Sequence, residues 1–462
     1  MSSLSPNRSF AAIVLAAGKS TRMKSKVPKA LHPIAGKPLI MHALDALKLA
    51  GATKIVVVVG YQADLVKAAL GASYEYVEQV EQLGTGHAAQ MAAPILGDWD
   101  GPVVIIPGDA PMISADAIGS LIDSHADGAA TLLTVHLAKP KGYGRILRSE
   151  SGAVLGIVEE KDATDEQRAI TEVGVSVYAF QASFLFDALA KVKPSNAQGE
   201  YYLTDTIALA NEAGHSVNAF TWHDPQVGLG INDRQQLSEV AELMKTSIHR
   251  KHMANGVTIV DPATTFIDAA VRIGQDTVIR PFTILSGVTD IGEDCTIGPG
   301  ARVTDSQIGN GVSIKDSHVT SSEVGDGTTI GPFANLRPGS LIGKKVKIGD
   351  FVETKQTTLE DGVSAGHFAY LGNAHVGEGT NIGAGTITCN YDGKNKHKTT
   401  IGKKSFVGSN TTLVAPVSIG EGAYVAAGST ITDDVPADAL AFGRSRQVTK
   451  ADWAKRRRER GE

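Results

Sequence analysis

Cysteine is nearly absent from this chain: Cys295 and Cys389 are the two among 462 residues. That leaves no disulfide framework, so a reducing compartment, the cytoplasm, is the expected location. Aromatic residues make up 5% of the chain, so its cores must be built from aliphatic side chains. No stretch approaches the ~18 uninterrupted apolar residues that a membrane-spanning helix requires. The net charge is −5, which excludes a general affinity for nucleic acid. Phe10 to Ala17, following Arg8, is shaped like a short signal-peptide core. That reading fails because the run passes straight into a glycine and basic loop, better explained as a nucleotide site.

Glycine is abundant, at 50 residues, and much of it belongs to a repeat. Between Ile273 and Thr430 an apolar residue recurs at every sixth position. Ile273, Ile279, Leu285, Ile291, Ile297 and Val303 form one run; Val324, Ile330, Leu336, Ile342 and Ile348 a second; Ile401, Val407, Leu413, Ile419, Val425 and Ile431 a third. Five-residue slips separate Val303 from Ile308, Thr354 from Leu359 and Leu371 from Val376. Such a hexapeptide repeat predicts a parallel β-helix. Three hexads close one triangular coil, each aliphatic points inward, and coils stack at ~4.8 Å. Small residues such as Cys295, Ala301 and Thr328 fit the corners, and glycine permits the turns. No coil buries its own apolar face, so about eight to ten must stack.

The first half reads differently. Met1 to Ser9 is polar and expected to be disordered. Ala11–Leu15 is apolar throughout, as a parallel strand covered on both faces is. It runs into a loop of small and basic residues, Ala16 to Met23. A helix is predicted over Pro38–Leu49, a strand at Ile55–Val59, a helix at Ala63–Leu70, a strand near Tyr74–Val80, a helix at Gly86–Ala93 and a strand at Val103–Ile106. Further strands are read at Thr131–Leu137, Ile157–Glu159 and Val173–Phe180. Alternating strands and helices predict a doubly wound, mostly parallel sheet, whose ligands sit at the carboxyl ends of strands. The loops at Gly18 and Asp109 both lie there. Asn232–Ala254 reads as one helix bridging the halves, giving domains 1–231 and 255–462 with a helical linker at 232–254. The polar insert Thr388–Thr400 interrupts the repeat, and the tail from Arg444 reads as a solvated basic end.

Two constellations carry chemistry. Lys19, Arg22 and Lys29 crowd the glycine loop, and Asp109 closes a later strand at the same sheet edge. Cations for a triphosphate and a carboxylate for Mg²⁺ are what nucleotidyl transfer needs. Inside the repeat, Gly366-His367-Phe368-Ala369-Tyr370 carries polar residues that a stacking core does not require. A solitary β-helix histidine is most often an outward, solvated side chain, but Arg337, Lys355, Tyr370 and Asn381 lie on nearby coils. Acyl transfer to an amine needs a base titrating near neutrality and donors for the oxyanion. His367 fits the first role; Asn390 or a backbone N–H fits the second.

Leu15-Ala16-Ala17-Gly18, Thr21-Arg22-Met23, Pro28-Lys29, Gln82 to Ala88, Gly108-Asp109 and Gly142-Tyr143-Gly144-Arg145 resemble the signature of sugar-1-phosphate nucleotidylyltransferases. With the β-helix, residues 10 to 447 resemble the bifunctional N-acetylglucosamine-1-phosphate uridylyltransferase and glucosamine-1-phosphate N-acetyltransferase family. That resemblance implies a Rossmann-like α/β domain followed by a left-handed parallel β-helix of hexapeptide repeats. It implies that Leu15 to Gly18, Arg22, Lys29, Gln79, Gly84, Thr85 and Gly108 bind UTP, with Gly144, Glu159 and Gly174 near N-acetylglucosamine-1-phosphate. Asp109 and Asn232 would hold Mg²⁺. His367 would be the general base, with Arg337, Lys355, Tyr370 and Asn381 on glucosamine-1-phosphate. Ala384, Asn390, Tyr391, Ser409, Ala427 and Arg444 would contact acetyl-coenzyme A. It implies a homotrimer as well. In two places the chain departs from the family pattern: Ser20 replaces a usual loop glycine and Gly174 a usual asparagine. Two other readings are a nucleotidyltransferase whose β-helix only oligomerises, and a scaffold without activity. The intact His367, Asn390, Arg22, Lys29 and Asp109 stretches argue against both.

Overall fold

Side chains alternate along the central strands, and the alternation divides two apolar layers. In strand Phe10–Leu15, Ala12 and Val14 pack on one face and Ala11 and Ile13 on the other. Val57 and Val59 against Val56 and Val58, and Val104 and Ile106 against Val103 and Ile105, repeat the division. A period of two with both faces apolar forces helices onto both sides. The computed structural model describes residues 9–125 and 128–461, so the polar first eight residues and their expected disorder lie outside it. It divides into two compact units, Met1–Met244 and Lys245–Glu462.

In the first unit the strand order is Val217–Thr221, Ala130–His136, Glu172–Gln181, Pro102–Pro107, Phe10–Leu15, Ala52–Val59, Glu75–Glu78. All of these pairs are parallel except those of Glu172–Gln181, which runs antiparallel to both neighbours. The chain leaves Phe10–Leu15 on one side and returns on the other as Pro102–Pro107. This is the switch point where such sheets open a crevice. The predicted helix over Gly86–Ala93 is two short helices, Thr85–Gln90 and Ala93–Leu96. Pro94 has no N–H to give the Gln90 carbonyl, so the helix cannot continue.

In the second unit the repeat begins earlier and ends later than Ile273–Thr430, from Thr258–Ile259 to Leu440–Ala441. Among the described residues its three parallel sheets hold 11, 10 and 9 strands. The aliphatics stack in register, for example Ile279 on Ile297, Ile314, Ile330 and Ile348, all buried. Small corner residues are often hydroxylic for a reason: Thr277 Oγ1 donates to the Gly292 carbonyl and Thr328 Oγ1 to Gly343, at 2.8 and 2.9 Å. Buried carbonyls between coils are thereby satisfied. The helix Arg234–Ala254 contains the boundary between units, and Ile248 packs against the β-helix core. The basic tail forms an exposed helix, Trp453–Glu459. Among the described residues no helix is long and apolar enough to cross a membrane.

Candidate active sites

The crevice of the first unit is a cleft of about 710 Å³. Every residue that the resemblance assigned to this site lines it: the Leu15–Gly18 loop, Arg22, Lys29, Gln79, Gly84, Thr85, Gly108, Asp109, Gly144, Glu159, Gly174 and Asn232. Lys19 is exposed and does not line it. Ser20 adopts φ +50, which explains why a glycine suits that position. At the strand ends, Lys29 Nζ pairs with the Asp109 carboxylate and donates to Asn232 Oδ1 at 3.3 Å. Arg22 donates to the same Asn232 oxygen at 3.0 Å. Asn232 is in turn oriented by Gln236, whose Oε1 accepts the Asn232 N–H at 2.7 Å.

The far wall is held by backbone. Gly84 lies so close to Tyr201 that a Cβ would stand 2.5 Å from the Tyr201 carbonyl oxygen, so no other residue fits without displacement. The Gln79 amide donates to the Gly84 carbonyl at 3.0 Å, and Thr85 Oγ1 accepts the Leu203 N–H at 3.1 Å. Gly144 packs against Ile157 and Glu159, where a Cβ would meet Ile157 Cγ2 at 2.7 Å. Burial pushes the Glu159 carboxyl above its ordinary range, against a hydrogen bond from Thr204. Burial, then the Asp109 charge, raises the Tyr143 hydroxyl. Among the described residues no group of three or more His, Cys, Asp or Glu is placed to hold a metal ion.

The second constellation is built on one β-helix corner. His367 is mostly exposed, and its Nδ1 meets Asp350 Oδ1 at 2.6 Å, one coil away in register. Continuing the register, Ala384, Ser409 and Ala427 occupy the same corner on successive coils below His367. Beside the corner, Phe333, Phe351 and Phe368 are exposed and stacked, with centroids 5.5 and 5.0 Å apart. Arg337 and Lys355 stand in register on the adjacent sheet, and Arg337 pairs with Glu353 at 2.7 Å. The Tyr370 hydroxyl folds over Gly372, where a Cβ would lie 2.5 Å from it. Asn381 stands on the other sheet, in register with Ser364. The Arg444 chain lies along Gly428.

The insert leaves from the opposite corner. Asn390 is buried and donates to Asn373 Oδ1 at 2.7 Å, so within one chain its amide is committed away from His367. Tyr391 is exposed and its hydroxyl donates to the Gly393 carbonyl. The insert returns over the sheet far enough for Lys396 to act on Lys355. The Lys396 and then the Arg337 charges lower the Lys355 ammonium below its ordinary value. Three cations thus converge there, with Glu353 as the neighbouring anion.

Residues 12–197 match the MobA-like NTP transferase domain, 259–352 the GMPPB C-terminal domain and 398–433 the bacterial transferase hexapeptide repeats. Proteins named bifunctional protein GlmU match nearly end to end. The Geobacillus sp. (strain WCH70) protein is 50% identical over 447 residues, 96% of this chain and 97% of the relative. That of Brevibacillus brevis is 49% identical over 452 residues, 97% and 98% of the two chains. That of Clostridioides difficile (strain 630) is 46% identical over 453 residues, 98% of each. The chain belongs to the GlmU family.

The β-helix of this GlmU-family chain is left-handed and built of hexapeptide repeats. Three side chains escaped the sequence reading. Asp350 sits one coil before His367, and Lys396 lies in an insert of which only Asn390 and Tyr391 were given a role. Gln236 is one helical turn after Asn232. Counting one coil back from His367 would have found the first; one turn forward from Asn232 would have found the last.

Proposed function

We propose that this GlmU-family enzyme acetylates glucosamine-1-phosphate with acetyl-coenzyme A in its second unit. The first unit then transfers UMP from UTP to the N-acetylglucosamine-1-phosphate formed, releasing pyrophosphate. The observation that carries the reading is that one chain holds both a Lys29–Asp109–Asn232 cluster at a sheet switch point and a His367–Asp350 pair on a β-helix corner.

In acetyl transfer, Asp350 accepts a hydrogen bond from the Nδ1–H of His367, leaving the Nε2 lone pair to take a proton from the amine. The amine nitrogen bonds to the thioester carbonyl carbon, the C–S bond breaks, and coenzyme A leaves as its thiol. Arg337, Lys355 and Lys396 hold the sugar phosphate. Ala384, Ser409 and Ala427 leave a smooth corner along which the extended acyl donor lies. In uridylyl transfer a sugar-phosphate oxygen attacks the α-phosphorus of UTP, and the bond to the leaving pyrophosphate breaks. Lys29 and Arg22 offset the charge that develops. Mg²⁺ fits the oxygen donors Asp109 and Asn232, because this ion binds through one or two carboxylates and takes phosphates and water for its other ligands; it would neutralise the triphosphate.

The acetyl site also calls for a second copy of the chain. His367 and the Asn390 loop lie at opposite corners of one sheet, and the exposed phenylalanine stack flanks His367. A homotrimer covers that stack and brings one protomer's loop to its neighbour's histidine. Two unpaired cysteines suit a cytoplasmic enzyme. The test is direct: purified protein is expected to release coenzyme A from acetyl-coenzyme A with glucosamine-1-phosphate, and pyrophosphate from UTP with N-acetylglucosamine-1-phosphate. Absence of either product would defeat the two-reaction reading.

A further inference from the structure

The strand Glu172–Gln181 is interrupted where it borders the cleft. Its ladder to Ala130–His136 shifts register between Gly174 and Tyr178. Irregularities of this kind re-aim a side chain, and they gather next to active sites. Here the side chain is Ser176. It has φ +58, a left-handed conformation that a serine rarely adopts, and it is the one exposed position between Glu172 and Phe180. Backbone strain of this sort persists where the surroundings enforce it, commonly at ligand sites.

The surroundings of Ser176 are those of the sugar end of the cleft. It lines the same cavity as Gly144, Glu159 and Gly174. The neighbouring Tyr178 is buried, and burial and then the Glu159 charge raise its hydroxyl. The serine side chain is open to the cleft. A hydroxyl can donate and accept at once, so it can meet either kind of polar group on a ligand. Gly174, two residues earlier, contributes no side chain although there is room for one. A Cβ there would meet Ile146 Cδ1 at 3.6 Å and Ile157 Cδ1 at 3.7 Å, which are ordinary contacts.

We propose that Ser176 Oγ binds the sugar ring in the uridylyl-transfer site, making the polar contact that position 174 lacks. The inference rests on the uridylyltransferase reading above. Its ligand is a hydroxyl or the acetamido group of a hexosamine 1-phosphate whose phosphate points toward Lys29. Position 176 thus sets the affinity for the sugar and leaves the nucleotide end untouched.

Two substitutions in the full-length protein separate this role from a structural one. Ser176→Gly removes the hydroxyl and also relieves the left-handed strain, so folding is not at risk. Ser176→Ala removes the hydroxyl alone. Both are expected to raise KM for N-acetylglucosamine-1-phosphate by about three- to tenfold, the worth of one hydrogen bond. KM for UTP and coenzyme A release should stay at parental values, and thermal melts should confirm folded protein. Adding Gly174→Asn to Ser176→Gly is expected to restore the sugar KM, because an amide then reaches the same space. A sugar KM within twofold of the parent in both folded single variants overturns the proposal. So does a double variant no better than Ser176→Gly. A parent protein that releases no pyrophosphate undoes the uridylyltransferase reading itself, and the inference with it.

Discussion

At the scale of single residues, His367 depends on a partner one coil away. The Asp350 carboxylate is a third exposed and the imidazole nearly two-thirds. A polar contact so open to water adds little stability. On the proposed reading its work is orientation: by accepting a hydrogen bond from Nδ1–H it leaves the Nε2 lone pair free. Asp350→Asn is nearly isosteric but offers an amide that can donate to Nδ1 and favour the wrong tautomer. We expect kcat for coenzyme A release to fall about ten- to a hundredfold, less than the 10²–10⁴ lost by removing a positioned base. KM for glucosamine-1-phosphate should change little, because the phosphate contacts are made elsewhere. A kcat within twofold of the parent would show that Asp350 does not set the tautomer. Asp109 belongs to the same scale. Asp109→Ala should abolish pyrophosphate release, and near-normal turnover at saturating Mg²⁺ would remove it from the metal site.

At the scale of elements, the insert between Cys389 and Thr399 is organised by one side chain. Asp392 accepts the Lys394 and Asn395 N–H groups at 2.8 and 2.6 Å, and His397 Nε2 lies 2.7 Å from its other oxygen. The Asn395 N–H, then His397, hold its carboxyl well below the usual carboxylate range. A depressed acid contributes stability that is present above its unfolded pKa and lost as pH falls through the folded one. At neutral pH the clasp is therefore fully made. Asp392→Asn should speed amide exchange across residues 390–398 and raise KM for glucosamine-1-phosphate through Lys396. The difference from the parent should shrink in strong acid; equal exchange rates at pH 7 would show the clasp to be dispensable. The insert was legible as an interruption because its polarity breaks the six-residue period. Its contacts were not, since Lys396 meets Lys355 only after an intervening coil has been wound. The inward aliphatics were legible for the converse reason, their period being local. Helix Ala182–Leu189 and strand Gly144–Arg148 were missed. Runs that short do not distinguish helix from strand by period. The residues that line the cleft came mostly from the family resemblance, whose motifs are backbone-shaped loops at strand ends; only Arg22, Lys29 and Asp109 followed from their charge and place. Ser176 was not legible, because its exposure comes from a register shift that no composition reveals.

At the scale of the whole molecule, the two candidate sites lie in separate units with separate cores. Substitutions at distant sites without shared partners act independently to within a few tenths of a kcal/mol. His367→Ala should lower coenzyme A release by about 10²–10⁴. Pyrophosphate release from added N-acetylglucosamine-1-phosphate should stay within about twofold. Asp109→Ala should give the mirror result. Loss of both activities in either folded variant of native assembly would mean a shared site. Light scattering should give the mass of three chains, and a monomer with full acetyl transfer would rule out the trimer. The corner column from His367 through Ala384 and Ser409 to Ala427 has one further consequence. Each coil advances the column by ~4.8 Å, so three coils carry it about 14 Å. The column is a ruler graduated in coils. On the proposed reading, the span between His367 and the far end of an acyl donor lying along the column can change only by whole graduations. A coil inserted or deleted between them would keep every side chain in register yet leave the thioester one step out of reach.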